Sequence, residues 1–120
     1  MTLPRLATTI AALALIGVLA APAIAGGAGD SQPAFTEEFM NNPENVAKGQ
    51  EIWVEQCQFC HGKNAYPGKA PKLKPRKYTP EFVYKRVTKG FKGMPAWEDV
   101  YNDQERMSVA AWIMNKDFSN

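Results

Sequence analysis

The run Cys57-Gln58-Phe59-Cys60-His61 is where this chain could do chemistry. Two thiols three positions apart sit on neighbouring points of one helical turn, and an imidazole follows directly. Such thiols can add to the two vinyl groups of one haem, giving two thioether bonds, while the imidazole binds the iron from one side. The spacing reads as covalent haem attachment for that reason. Three other chemistries compete. A zinc site needs a fourth ligand, usually from a second cysteine or histidine pair, and the whole chain holds two cysteines and one histidine. A redox disulfide of the thioredoxin kind belongs in a βαβ setting, and no segment shows the sustained two-residue alternation of a strand. A plain disulfide closing two intervening residues removes little chain entropy.

The second axial ligand follows by elimination only in part. His61 is the only histidine, which excludes a second imidazole from the same chain. Thioether formation removes both thiolates. Methionine, lysine, tyrosine or an open position remain. Of the five methionines, Met1 falls in the leading segment, Met40 precedes the first long helix, and Met107 and Met114 lie seven apart on the last helix. Methionines at that spacing more often fill core than bind metal. Met94 differs, because it lies in the loop Gly90-Phe91-Lys92-Gly93-Met94-Pro95-Ala96-Trp97, 33 residues after His61. Gly93 is expected to let the backbone approach the ring closely, and Pro95 to fix the direction after the ligand. Histidine with methionine is a known axial pair, so Met94 is the expected ligand.

The elements that must position these groups are helical. Asn42-Pro43 opens a helix with a cap and then a proline, and Val46, Gly49 and Trp53 give it one face as far as about Glu55. The stretch 62–77 contains Pro67, Gly68, Pro71 and Pro75 and is expected to be a loop. Thr79-Pro80 opens a second helix that Gly90 ends. Asn102 with Glu105 resembles a capping box, and Met107, Ala110, Ala111, Trp112 and Met114 make the apolar side of a last helix. The expected class is all-α, three to four helices with long loops. Trp53, Phe59, Leu73, Phe82, Val83, Val87, Phe91 and Trp97 are the expected walls around the ring.

Residues 1–25 read as a secretory signal peptide. Arg5 supplies the positive start, Ile10 to Ala21 an apolar run of 12 residues, Pro22 a break, and Ala23-Ile24-Ala25 a small-x-small cleavage site. An uncleaved anchor would need about 20 apolar residues, so cleavage and no stable membrane anchor are expected. Residues 26–41 then form a flexible N-terminal segment and 42–120 the one domain that this length permits. Export points to a bacterial periplasm, where two cysteines would ordinarily pair; haem attachment explains why these need not.

With these residues in view, the chain resembles a class I c-type cytochrome, a small soluble monohaem electron carrier. Ala47-x-Gly49-x-x-x-Trp53 is similar to the family's first helix, with Gly49 where the last helix crosses and Trp112 as the aromatic partner. His61-Gly62 and Gly93-Met94-Pro95 match the family's attachment and distal-ligand segments. Ala70-Pro71-Lys72-Leu73 is similar to the segment in which a proline carbonyl accepts the imidazole N–H, which would make Pro71 the group that orients His61. The resemblance implies one covalent haem c held by Cys57, Cys60, His61 and Met94, and no substrate on the iron. It implies one-electron transfer, not enzyme catalysis, by a monomer working between a dehydrogenase or bc-type complex and an oxidase or reductase. The alternative is a haem enzyme or gas sensor in which Met94 stays off the iron. The interval from His61 to Met94 is short for the family, which leaves room for one intermediate helix fewer.

Charge is unevenly spread. Residues 63–92 hold ten basic side chains and one acid, Glu81, a balance of +9 in a chain whose formal net charge is +2. Such a run is either a solvated lysine-rich loop or a docking surface that steers an acidic redox partner. Nucleic acid is not an expected partner of an exported chain.

Overall fold

The computed structural model describes residues 33–119, so the expected signal peptide and the segment before Pro33 lie outside the described residues. Among the described residues there are helices and no strand. A short helix α1 (Glu37–Asn41) precedes α2 (Pro43–Ile52), which runs without a break through a π turn (Trp53–Cys57) into α3 (Gln58–His61). A single 3-10 turn (Pro75–Lys77) interrupts the following loop. Helices α4 (Pro80–Lys89) and α5 (Asp103–Met114) complete the set. No helix among these residues is long and apolar enough to cross a membrane.

The caps read from the sequence are formed. The Asn42 carboxamide oxygen accepts from the amides of Glu44 and Asn45 at 2.8 and 3.3 Å. Thr79 Oγ1 accepts from Phe82 N at 3.2 Å. Asn102 and Glu105 exchange both bonds of a capping box, each at 3.0 Å. Each satisfies amides that a helix start leaves without a partner. Two boundaries differ from expectation. Thr36 caps an additional short helix through Phe39 N at 3.1 Å, within the segment expected to carry no element. The first long helix also does not stop near Glu55. Its π turn lets it continue to His61, where Gly62 closes it at φ 84°.

The core is built on a close crossing of α2 and α5. A Cβ on Gly49 would overlap the Ser108 carbonyl oxygen and stand 2.9 Å from Trp112 Cβ. Only glycine lets the two helices meet at that distance. Ile52, Trp53, Val109, Ala110, Trp112 and Ile113 are buried around the crossing. Phe118 is wholly buried beyond α5, edge-on to Trp53 at 4.7 Å and to Trp112 at 5.8 Å. Helix α4 closes the other side through Val83 and Val87. It is pinned to α5 by Tyr84, whose hydroxyl donates to Asp103 at 2.8 Å. Arg106, buried beneath Tyr84, pairs with the same carboxylate, which spares the core an uncompensated charge.

Candidate functional site

The π turn determines how the Cys57–His61 motif is presented. Its bond from Gln58 N–H to Trp53 C=O spans five residues instead of four, so everything after it is rotated by about 100° relative to a regular helix. Trp53 anchors this point. It is 2% exposed, donates its indole N–H to the Lys63 carbonyl at 2.7 Å, and lies 5.7 Å from the His61 ring. The chain leaving α3 is thereby folded back under the motif, and Ala70 N bonds Cys60 O at 2.8 Å.

Cys57 is half-buried and Cys60 exposed, and both thiols are free. Burial pushes the Cys57 thiol up to about 12, with the neighbouring Cys60 acting in the same direction, so it stays protonated at neutral pH. It is not the activated thiolate of a redox enzyme. Burial lowers the His61 imidazole below its usual range, leaving it neutral at pH 7 with a lone pair to give. Its Nδ1 is buried and without a hydrogen-bond partner. Pro71 is exposed, and the bond from His61 to a Pro71 carbonyl, which the resemblance implies, is not formed.

Met94 is half-buried and packs on the same core cluster as Cys57. Its backbone exchanges two bonds with Phe91, N–H to O in both directions at 3.0 Å, closing a tight turn. Within the chain itself, the glycine this loop requires is Gly90. Gly90 has φ 68°, and a Cβ there would strike the Met94 carbonyl oxygen and come within 2.8 Å of Ala96 N. A Cβ on Gly93 would meet no atom of the chain within 4 Å. Met40 and Met114 instead line a cavity of about 440 Å³ with Phe35 and Pro80, to which neither Cys57 nor His61 contributes.

Of the expected ring walls, Trp53, Val83 and Val87 are buried, and Leu73 and Trp97 pack partly buried against them. Phe59, Phe82 and Phe91 do not join the core, being 69%, 42% and 50% exposed. Phe82 and Phe91 are instead stacked on the guanidinium of Arg86. In the sequence Arg86 is one of the ten basic side chains of residues 63–92 and lies on the second helix. The i,i+4 spacing of Phe82 and Arg86 on α4 was the signal that could have found the pair. Nine of the ten basic side chains in 63–92 are exposed and Arg86 is half-buried.

Among the described residues no three of His, Cys, Asp or Glu are placed to cage a metal ion. The donors present, one neutral imidazole beside two unpaired thiols, fit a metal that arrives already chelated in a ring and needs only axial ligands and covalent anchors.

Comparison with known proteins agrees. The family model described as cytochrome c oxidase, cbb3-type, subunit III matches residues 44–113. No curated protein matches the chain in sequence. Among solved structures the chain is similar to the c-type cytochrome NirC, with 19% identity and a TM-score of 0.54 over 66% of this chain and 99% of that one. It is also similar to cytochrome cL from Hyphomicrobium denitrificans, with 21% identity and a TM-score of 0.56 over 65% of this chain and 51% of that one. Cytochrome cL from the marine methylotrophic bacterium Methylophaga aminisulfidivorans gives 21% identity and a TM-score of 0.55, over 62% and 55%. At these identities the likeness is one of fold, and the chain spans about half the length of either cytochrome cL.

Proposed function

The chain belongs to the c-type cytochrome family matched over residues 44–113, and from that premise we propose that it is an exported monohaem carrier of single electrons. Its donor would be a dehydrogenase or bc-type complex and its acceptor an oxidase or reductase. Cys57 and Cys60 would hold the haem through thioethers, and His61 and Met94 would be its protein ligands. The haem supplies the reversible Fe(III)/Fe(II) couple when bound. The chain's own residues do the rest. A neutral His61 gives its lone pair without first losing a proton. Met94 is a soft, neutral ligand that favours the reduced metal, and with both axial positions filled no substrate reaches it. Trp53, Val83, Val87 and Leu73 keep water from the ring, which acts in the same direction as the methionine.

The observation that carries this reading is the donor set. Two unpaired thiols on one turn run directly into a neutral imidazole, and Cys57 packs on the same cluster as Met94. The layout of residues 1–25 supports export to a bacterial periplasm. The exposed basic stretch supports an acidic redox partner.

Met94→Ala tests the axial assignment. The variant should bind carbon monoxide rapidly when reduced and show a lower reduction potential than the parent, which should bind it slowly. An unchanged potential contradicts the assignment. Rapid binding by the parent itself would favour an open distal site, as in a haem enzyme or gas sensor.

A further inference from the structure

The turn that carries Met94 is poorly held by its own residues. Lys92 sits at φ 53°, a left-handed conformation that a lysine adopts at a cost. Gly93 next to it has open space where a side chain would stand. Paired backbone bonds between Phe91 and Met94 close the turn, beside the packing of Met94 on the core cluster, so the direction of Met94 depends in part on what holds Phe91. What holds it is Arg86. The guanidinium carbon lies 3.9 Å from the Phe91 ring centroid and 5.0 Å from that of Phe82. The Arg86 carbonyl also accepts from Gly90 N at 2.9 Å, so stack and backbone grip the start of the turn from the same residue. Lys92 adds a looser cation at 5.3 Å from the Phe91 ring.

We propose that Arg86 is a positioning residue for axial ligation: stacked between Phe82 and Phe91, it fixes the 91–94 turn and thereby keeps Met94 on the iron. This rests on the reading of Met94 as the distal ligand. The role asks for arginine in particular, because a planar, weakly hydrated guanidinium stacks on ring faces in a way that an ammonium group does not. It also gives a half-buried cation in the basic stretch a task separate from partner docking, since ligation is a property of the isolated protein.

The test uses the haem-loaded protein alone, with carbon monoxide binding by the reduced form, reduction potential, and the sulfur-to-iron charge-transfer absorption of the oxidised form as readouts. Arg86→Ala, Arg86→Lys and Phe91→Leu should each raise the population with Met94 off the iron by about fivefold, the range of a cation–π contact. Carbon monoxide binding should speed up correspondingly, and the charge-transfer absorption should weaken. Phe91→Tyr keeps the ring and should match the parent. The double variant Arg86→Ala/Phe91→Leu should add little to either single change. If Arg86→Ala does not fold, Phe91→Leu against Phe91→Tyr carries the same test. Arg86→Ala and Phe91→Leu indistinguishable from the parent, in a background where Met94→Ala opens the site, would overturn the inference and leave the axial assignment standing. Arg86→Lys matching the parent would also overturn it. If Met94→Ala itself changes nothing, the axial reading falls and the inference with it.

Discussion

The crossing of α2 and α5 and the loop from Gly90 to Trp97 are held by opposite means. At the crossing, Gly49 lies against Ser108 and Trp112, and Ile52, Trp53, Val109, Ala110 and Phe118 fill the space around it. The packing there is dense and buried. The loop has two backbone bonds between Phe91 and Met94, one from Trp97 N to Val87 O, and an exposed stack on Arg86. Met94 is only half-buried. The first region makes the fold. The second is a set of groups brought near the first, and under the proposed function it acquires its full complement of contacts from the cofactor. Substitutions in the two should therefore fail differently: at the crossing by loss of the folded protein, in the loop by loss of ligation in a protein that stays folded.

Gly49→Ala should show the largest effect. Helix propensity would favour alanine by about 1 kcal/mol, but the new methyl overlaps backbone that cannot rotate away. Overpacking of that kind costs roughly 3 kcal/mol, so the melting temperature should fall markedly. A variant as stable as the parent would mean that the helices can separate freely. In the loop, Gly90→Ala should leave the melting temperature less affected while promoting carbon monoxide binding, because its φ of 68° and its approach to Met94 hold that residue's backbone in place. Equal loss of stability at both glycines would erase the contrast.

Acid should act on the attachment side. Burial lowers the His61 pKa in the folded state from the ordinary 6.5. The stabilisation from its neutral form is therefore fully present above pH 6.5 and lost as pH falls through the lowered value. A pH titration of the thermal stability of the haem-free chain, in which no metal holds His61, should show the decline on the acid side of 6.5, and stability rising there would contradict it. The smallest effect concerns the basic stretch: electron-transfer rates with an acidic partner should fall as salt rises. Rates indifferent to ionic strength would leave the basic side chains of residues 63–92 as solvated charges with no docking role.

Much of this was legible because local chemistry determined it. Asn42-Pro43, Thr79-Pro80 and Asn102 with Glu105 satisfy their own helix starts within a few residues, so the caps formed where the sequence placed them. Gly49 against Trp112 followed from the family resemblance, and the crossing is there. What escaped was set by groups distant in sequence or by register. The π turn adds a residue to a helix whose apolar pattern shows no break. The contacts of the Arg86 guanidinium with Phe82 and Phe91 join groups that hydrophobicity alone does not connect. The close approach of Gly90 across the turn to the Met94 carbonyl had no signal in the sequence beyond the end of a helix. Phe118 lies outside any periodic segment, and only the fold shows that it fills the gap between Trp53 and Trp112.

The account stands on haem bonded to Cys57 and Cys60, and intact mass spectrometry of the protein, exported from a bacterium that matures such cytochromes and then denatured, tests it most directly. The mass should exceed that of the processed polypeptide by one haem, and Cys57→Ala with Cys60→Ala should remove the whole increment. A denatured parent with the mass of its amino acids alone would contradict the account.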